Sequence, residues 1–202
     1  ASCAAHGNKL FVIGGRDREQ PETALNTIYM LDTTPDTDKM KWVSLPPFPG
    51  EGRILSTAAV CDSTLFIIGG CSLSRDNSGE TSRTYLSDMI GYDMTSKDPS
   101  KWGSSGRQQL AGPGMPVAAA AGPAPVRENS ILLIGGDKRG NSPDPSRPVV
   151  QSRDILVYDV IGNTWTRQGE WPVGIATVPA VVRGSEIMTI SGETAPGVRT
   201  PV

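Results

Sequence analysis

The sequence is poor in residues that bind metals or form disulfides. Its 202 residues include one histidine, His6, and three cysteines, Cys3, Cys61 and Cys71. A structural zinc site takes about four Cys or His ligands, and three cysteines at these separations build no disulfide framework. We therefore expect no metal and no cofactor, and we expect the cysteines to act as small buried hydrophobic side chains.

Strong charge and long apolar runs are also missing. The formal net charge is −2, with both signs spread along the chain. We therefore expect no nucleic-acid partner and no anionic membrane surface as a partner. No stretch approaches the roughly 20 apolar residues of a membrane span, and none keeps a 3.6-residue hydrophobic period. The sequence predicts no substantial helix.

What the chain does contain is a phrase that returns four times, an apolar strand ending in two small residues. The second small residue is a glycine each time, at positions 15, 70, 136 and 192, so the steps are 55, 66 and 56 residues. A period near 50 is typical of stacked supersecondary units that share their hydrophobic cores. The four copies are residues 10–15 (LFVIGG), 65–70 (LFIIGG), 132–136 (LLIGG) and 187–192 (IMTISG).

Each unit has further parts in a fixed order. Downstream of the first three diglycines comes a strand ending in Asp, at residues 28–32, 89–93 and 155–159, followed by Trp42, Trp102 and Trp165. Upstream of every diglycine lies a strand of small apolar residues. The four upstream strands are predicted at residues 1–5, 56–60, 117–121 and 178–182. The 23 glycines and 17 prolines suit many tight turns, so the pattern predicts an all-β chain of four-stranded units.

This order of Gly-Gly, Tyr-Asp and Trp resembles the kelch repeat, which implies a kelch-type β-propeller of antiparallel blades. The expectation is one domain over residues 1–202, with about three and a half blades in this chain as part of a six-bladed ring. Such a chain exposes strand edges, so we expect it to aggregate or associate when made alone. The blades are placed at approximately 1–48, 53–104, 115–168 and 174–202, the last incomplete.

Candidate functional residues follow the diglycines, where long charged loops begin. Arg16, Asp137 and Glu193 occupy this position in the first, third and fourth units, and Cys71 in the second. Equivalent positions of a propeller lie on one rim, where ligands bind, and long loops on a rigid scaffold often carry function. The alternative is that these loops are only connections between strands, with their charged side chains in solvent.

The fourth loop, residues 192–200 (GETAPGVRT), resembles the phrase Gly-Glu-x-x-Pro-Gly-hydrophobic-Arg-Thr of the sialic acid mutarotases, or N-acetylneuraminate epimerases. The resemblance implies a cofactor-free interconversion of sugar anomers, with Glu193 as proton acceptor and Arg199 as its partner. Arg53 matches a family arginine and, with Arg16 and Asp137, is expected to bind the substrate. Glu193 and Arg199 could instead merely pair and pin the turn, and Arg53 could pack its stem against the blade.

Two functions therefore remain open. The first is an isomerase acting on sialic acid or a related small acidic sugar. The second is a non-catalytic kelch module that presents its loop rim to a protein or a carbohydrate, because a fold alone does not settle function. The resemblance implies a periplasmic or secreted protein, while the residues themselves leave the compartment open.

Overall fold

The computed structural model describes residues 1–19, 21–102, 121–137, 151–195 and 197–199. This part of the chain is all β apart from two single-turn 3-10 helices, Thr37–Lys39 and Pro99–Lys101, and contains no helix long and apolar enough to cross a bilayer. The strands are β1 (Ser2–His6), β2 (Lys9–Ile13), β3 (Ile28–Asp32), β4 (Trp42–Leu45), β5 (Thr57–Cys61), β6 (Thr64–Ile68), β7 (Cys71–Arg75), β8 (Thr81–Tyr85), β9 (Met89–Asp93), β10 (Val126–Arg127), β11 (Ser130–Ile134), β12 (Asp154–Asp159), β13 (Thr164–Glu170), β14 (Ala180–Arg183), β15 (Glu186–Thr189), β16 (Glu193–Ala195) and β17 (Val198–Arg199).

The strands form four successive antiparallel units, as the repeat predicts. Blade 1 is the sheet β1-β2-β3-β4 and blade 3 is the sheet β10-β11-β12-β13. Blade 2 combines the sheet β5-β6-β9 with the hairpin β7-β8, and blade 4 combines the pairs β14-β15 and β16-β17. The predicted blade boundaries stay a prediction, because several of them fall outside the described residues.

The structure corrects the prediction for the second long loop. The segment after the second diglycine is a hairpin, in which β7 pairs with β8 from Cys71 opposite Tyr85 to Arg75 opposite Thr81. Its tip is fixed by Asp76, whose carboxylate accepts hydrogen bonds from the Ser78 hydroxyl and from the Glu80 amide. The Ser78 hydrogen bond is the main reason why the pKa of Asp76 lies below its usual value.

The inner strand of blade 3 also lies elsewhere than predicted. Residues 117–120 are outside the described part of the chain, and Ala121 is a bend. The chain instead runs beside β11 six residues later, where the carbonyls of Pro123 and Pro125 accept from the amides of Ile134 and Leu132. Proline has no amide hydrogen to return the bond, so regular pairing begins only at Val126.

The hydrophobic cores lie between blades. Successive residues of a strand point to opposite faces, so β6 supplies Leu65 and Ile67 to the core shared with blade 1, and Phe66 and Ile68 to the core shared with blade 3. Between blades 3 and 4 a smaller core forms around three buried side chains, Ile134, Ile175 and Val178. A strand that is buried on both faces explains why β6 is apolar throughout.

The repeated aromatic residues of blades 2 and 3 pack in these cores, whereas Trp42 of blade 1 is 52% exposed. Trp102 contacts Phe11 of blade 1, and Tyr158 of blade 3 meets Phe66 edge-on with ring centroids 5.8 Å apart. The Tyr92 hydroxyl crosses from blade 2 to donate to the Pro46 carbonyl at 2.9 Å. Burial raises the pKa of Tyr92 and, less strongly, that of Tyr158. Of the cysteines, Cys61 and Cys71 are buried as expected, whereas Cys3 is exposed.

The diglycines allow adjacent blades to approach closely. Gly14 and Gly15 both have positive φ, 61° and 106°, and the Gly15 amide donates to the Arg53 carbonyl of blade 2 at 2.8 Å. The same contact links Gly136 of blade 3 to the carbonyl of Ile175 in blade 4. A Cβ at Gly14 would lie 2.5 Å from the Arg53 carbonyl oxygen, so glycine is needed for space as well as for φ.

A pair of glycine substitutions separates these two requirements. Gly7 has a φ of 54°, close to that of Gly14, but no atom lies within 4 Å of a Cβ built there. Gly7→Ala should lower the free energy of unfolding by about 1–2 kcal/mol through backbone conformation alone. Gly14→Ala should lower the free energy of unfolding by about 1–3 kcal/mol more than Gly7→Ala does, because of the clash. Urea denaturation of both variants measures the difference, and equal losses would refute the close-contact explanation.

Candidate functional site

The inner strands of the four blades surround a central groove of about 350 Å³. The side chains that line the groove are small and weakly polar, which leaves room between the blades. The hydroxyl oxygens of Ser2 in blade 1 and Ser56 in blade 2 lie 2.9 Å apart. Thr57 closes the next interface by donating to the Gly122 carbonyl at 2.5 Å. The lining residues are Ala1, Ser2, Cys3, Leu55, Ser56, Thr57, Ala58, Ala121, Gly122, Pro123, Ala124, Pro125, Thr177, Val178, Pro179 and Ala180.

Three non-glycine residues with left-handed backbone line this groove at equivalent positions. Leu55, Ala121 and Thr177 have φ of 54°, 59° and 54°, and each lies 15 residues before the second glycine of its own diglycine. A backbone chain joins them, because the Ala121 amide donates to the Leu55 carbonyl at 2.7 Å and the Thr177 amide donates to the Ala121 carbonyl at 2.8 Å. The main-chain position of Thr177 is therefore fixed by blade 3.

Glu193 is held beside Thr177 by its own backbone and side chain. Its amide and carbonyl exchange hydrogen bonds with Ala176, both at 2.9 Å. The Glu193 carboxylate accepts from the Thr177 hydroxyl at 2.8 Å and from the Gly197 amide at 2.7 Å. Two donors on the two carboxylate oxygens fix the orientation of this acid.

Arg199 lies on the strand next to Glu193. The two residues are paired across β16 and β17, and a bulge separates this pair from the next. The Arg199 side chain is exposed, and Glu193 is half-buried. The structure thus brings the two predicted catalytic residues together on one short hairpin, with the carboxylate anchored to the groove wall and the guanidinium toward solvent.

Arg53 has a different environment. Its side chain is 1% exposed and forks onto the carboxylate of Asp88, with nitrogen–oxygen distances of 2.8 and 3.0 Å. The guanidinium also donates to the Gly69 carbonyl and lies over the Phe48 ring, 5.6 Å from its centroid. A substrate anion would have to compete with Asp88 for this fork, so substrate binding by Arg53 stays a prediction.

The remaining two predicted residues lie in other blades. Arg16 is exposed and donates to the Glu19 carbonyl within its own loop at 2.6 Å. Asp137 is 4% exposed and accepts from the hydroxyl of Tyr85, at the end of the blade 2 hairpin, at 2.9 Å. These contacts do not test a role in substrate binding, which stays a prediction for both residues.

The prediction from sequence missed three residues that shape these sites: Thr177, Tyr85 and Asp88. A signal for Thr177 was present, because the repeat register places it level with Leu55 and Ala121. Tyr85 and Asp88 carry no such signal, since their partners lie in other segments. Within the described ranges no group of three His, Cys, Asp or Glu side chains is placed to hold a metal ion.

Comparison with known proteins agrees with this architecture. The kelch motif matches residues 1–49. A solved structure described as YjhT superposes with a TM-score of 0.70 over 98% of this chain and 59% of its own, at 21% sequence identity. That identity supports the fold alone. The chain is an all-β, kelch-type β-propeller.

Curated relatives carry a common name. N-acetylneuraminate epimerase of Yersinia enterocolitica is 24% identical over 193 residues, covering 82% of this chain and 47% of the relative. N-acetylneuraminate epimerase 1 of Escherichia coli is 26% identical over 201 residues, covering 87% and 50%. The chain resembles the N-acetylneuraminate epimerase family. A third relative of that name, from Haemophilus influenzae, is 25% identical and covers 79% of the chain, which spans about half the length of each of these epimerases.

Proposed function

We propose that this chain supplies the acid/base carboxylate of a mutarotase that interconverts the anomers of N-acetylneuraminate or a related acidic sugar. The observation that carries the proposal is the Glu193 carboxylate, fixed by the Thr177 hydroxyl and the Gly197 amide beside the central groove. The names of the relatives support the choice of substrate class.

The chemistry needs one group that can both accept and return a proton. In the ring-closed sugar the Glu193 carboxylate takes the proton of the anomeric hydroxyl. The bond from the anomeric carbon to the ring oxygen then breaks, and the ring oxygen takes a proton from water. After the carbonyl turns its other face, the steps reverse, and the protonated acid returns its proton. General acid/base catalysis by one positioned group contributes about 10²- to 10⁴-fold, and the proposed route uses no cofactor.

Arg199 is proposed to bind the sugar carboxylate. A planar guanidinium grips a carboxylate through two parallel hydrogen bonds, which an ammonium group cannot copy. The cross-strand pairing places Arg199 next to Glu193, while its exposed side chain is accessible to a ligand. Binding at Arg199 would therefore hold the anomeric centre, which carries the carboxylate, near the acid.

Proton NMR exchange spectroscopy on the anomers of N-acetylneuraminate tests the proposal. The complete polypeptide that carries this sequence should accelerate exchange above the buffer rate. Arg199→Lys should weaken substrate binding more than it slows the saturated rate, because the fork rather than the proton transfer is altered. A wild-type protein that gives only the buffer rate would refute the mutarotase and favour a non-catalytic kelch interaction module.

A further inference from the structure

Thr177 differs chemically from Leu55 and Ala121, its equivalents in the repeat, because it carries a hydroxyl that donates to Glu193. In blades 2 and 4 the residue with left-handed backbone at the groove lies next to a backbone bridge to the residue that follows the repeated glycine. In blade 2 the backbone bridge next to this position joins Ile54 to Cys71, and in blade 4 it joins Ala176 to Glu193. Leu55 and Ala121 carry apolar side chains at the left-handed position, whereas Thr177 carries a hydroxyl.

We infer that Thr177 is a positioning residue, whose hydroxyl orients and stabilises the ionised Glu193 carboxylate for proton transfer. This inference rests on the proposed function. The hydroxyl oxygen lies 2.8 Å from Glu193 Oε2, while the Gly197 amide nitrogen lies 2.7 Å from Oε1. The Gly197 donor belongs to the same hairpin as Glu193, whereas Thr177 connects the carboxylate to the groove wall.

The backbone of Thr177 supports a role for its side chain. A β-branched residue at a φ of 54° is strained, by about 1–2 kcal/mol, whereas glycine adopts this conformation freely. Threonine at this position is therefore less favourable for stability than glycine, and the hydrogen bond of its hydroxyl to Glu193 is what glycine would lack.

Two described segments flank Glu193. The strand paired with β16 contributes Arg199, and the segment on the other side, residues 174–178, contains no ionisable side chain. Removing the Thr177 hydroxyl thus changes hydrogen bonding to the carboxylate without changing a neighbouring charge. A hydrogen bond to the ionised form favours that form, so its loss should move the titration of Glu193 to higher pH.

Thr177→Val tests the inference, because valine keeps the shape of threonine and removes only the hydroxyl. We expect kcat for anomer exchange to fall about 10- to 100-fold, the range for losing a hydrogen bond to a charged group, with KM little changed. The acid limb of the rate profile should shift to higher pH. Thr177→Ser should restore both quantities, and Thr164→Val, at an exposed strand position, should leave them unchanged.

Thr177→Gly separates positioning from a structural role. Glycine relieves the left-handed strain, so the midpoint of thermal unfolding should stay level or rise. Anomer exchange should nevertheless fall as far as in Thr177→Val. If Thr177 only supported the fold, the glycine variant would keep its activity, and that result would overturn the inference.

A measurement without substrate keeps the inference separate from the proposed function. Carbon-13 NMR of labelled glutamate carboxyls, with Glu193 assigned by its absence in Glu193→Gln, follows the titration directly. Its midpoint should rise in Thr177→Val and return in Thr177→Ser. An unchanged midpoint, or an unchanged kcat in an active protein, overturns the role of Thr177. An inert wild type with a shifted midpoint overturns the mutarotase instead.

Discussion

Glu193→Gln should slow the exchange of N-acetylneuraminate anomers by at least about 100-fold at saturating substrate, because an amide cannot take the anomeric proton. Glutamine retains a carbonyl oxygen that can accept from the Thr177 hydroxyl or the Gly197 amide, which hold the carboxylate now. The variant should therefore fold and bind the sugar with a KM close to that of the wild type. Exchange NMR over a range of substrate concentrations gives both values.

A matched control lies in the same blade. Glu186 is exposed and its carboxylate pairs with Arg183 at 2.9 Å within the β14-β15 turn. Glu186→Gln removes the same charge from blade 4 without touching the groove, so its exchange rate should equal that of the wild type. Equal rates for Glu193→Gln and the wild type would eliminate Glu193 as the base, even if the protein proved to be an active mutarotase.

Asp88→Ala should cause a large loss of stability, about 3–5 kcal/mol in the free energy of unfolding. The reason is that the Arg53 guanidinium, 1% exposed, would lose its fork and remain buried with carbonyl partners alone. Arg53→Met should cost less, because methionine fills much of the space and Asp88, with its side chain 36% exposed, can still be hydrated. Chemical denaturation of both variants tests this order.

The double variant Arg53→Met with Asp88→Ala gives the sharper test. The double variant removes the buried Arg53 charge that Asp88→Ala leaves without its carboxylate partner. It should therefore be more stable than Asp88→Ala alone, so the two substitutions should be non-additive. Arg167→Met is the exposed control. Its guanidinium pairs with Asp154 and Glu170 at the surface, and its loss should cost less than about 1 kcal/mol. A double variant less stable than Asp88→Ala would contradict the buried-charge explanation.

The same variants address the predicted role of Arg53 in substrate binding. If the Arg53 guanidinium serves only to bind Asp88, Arg53→Met should lower stability and leave KM for the sugar unchanged. If it also binds the substrate anion, Arg53→Met should raise KM.

The sequence by itself determined the repeat and hence the fold. Residues 10–15 and 65–70 are nearly identical, and both end in glycines whose positive φ and close contacts exclude other side chains. Such local requirements are written in residue type and spacing. The hairpin of Glu193 and Arg199 was predictable for the same reason, because both residues lie within one short turn phrase and need no distant partner to come together.

Only the tertiary structure decided which side chains that are distant in the sequence come together. Arg53 finds Asp88 35 residues away, and Asp137 finds Tyr85 52 residues away. Thr177 lies beside Glu193 because the neighbouring residue, Ala176, is bridged to Glu193, and the Thr177 amide is also bonded to blade 3. Residue spacing along the chain does not encode these contacts, since each depends on how strands pair within a blade or how two blades pack. The sequence could therefore predict the carboxylate, and the tertiary structure supplied the hydroxyl that orients it.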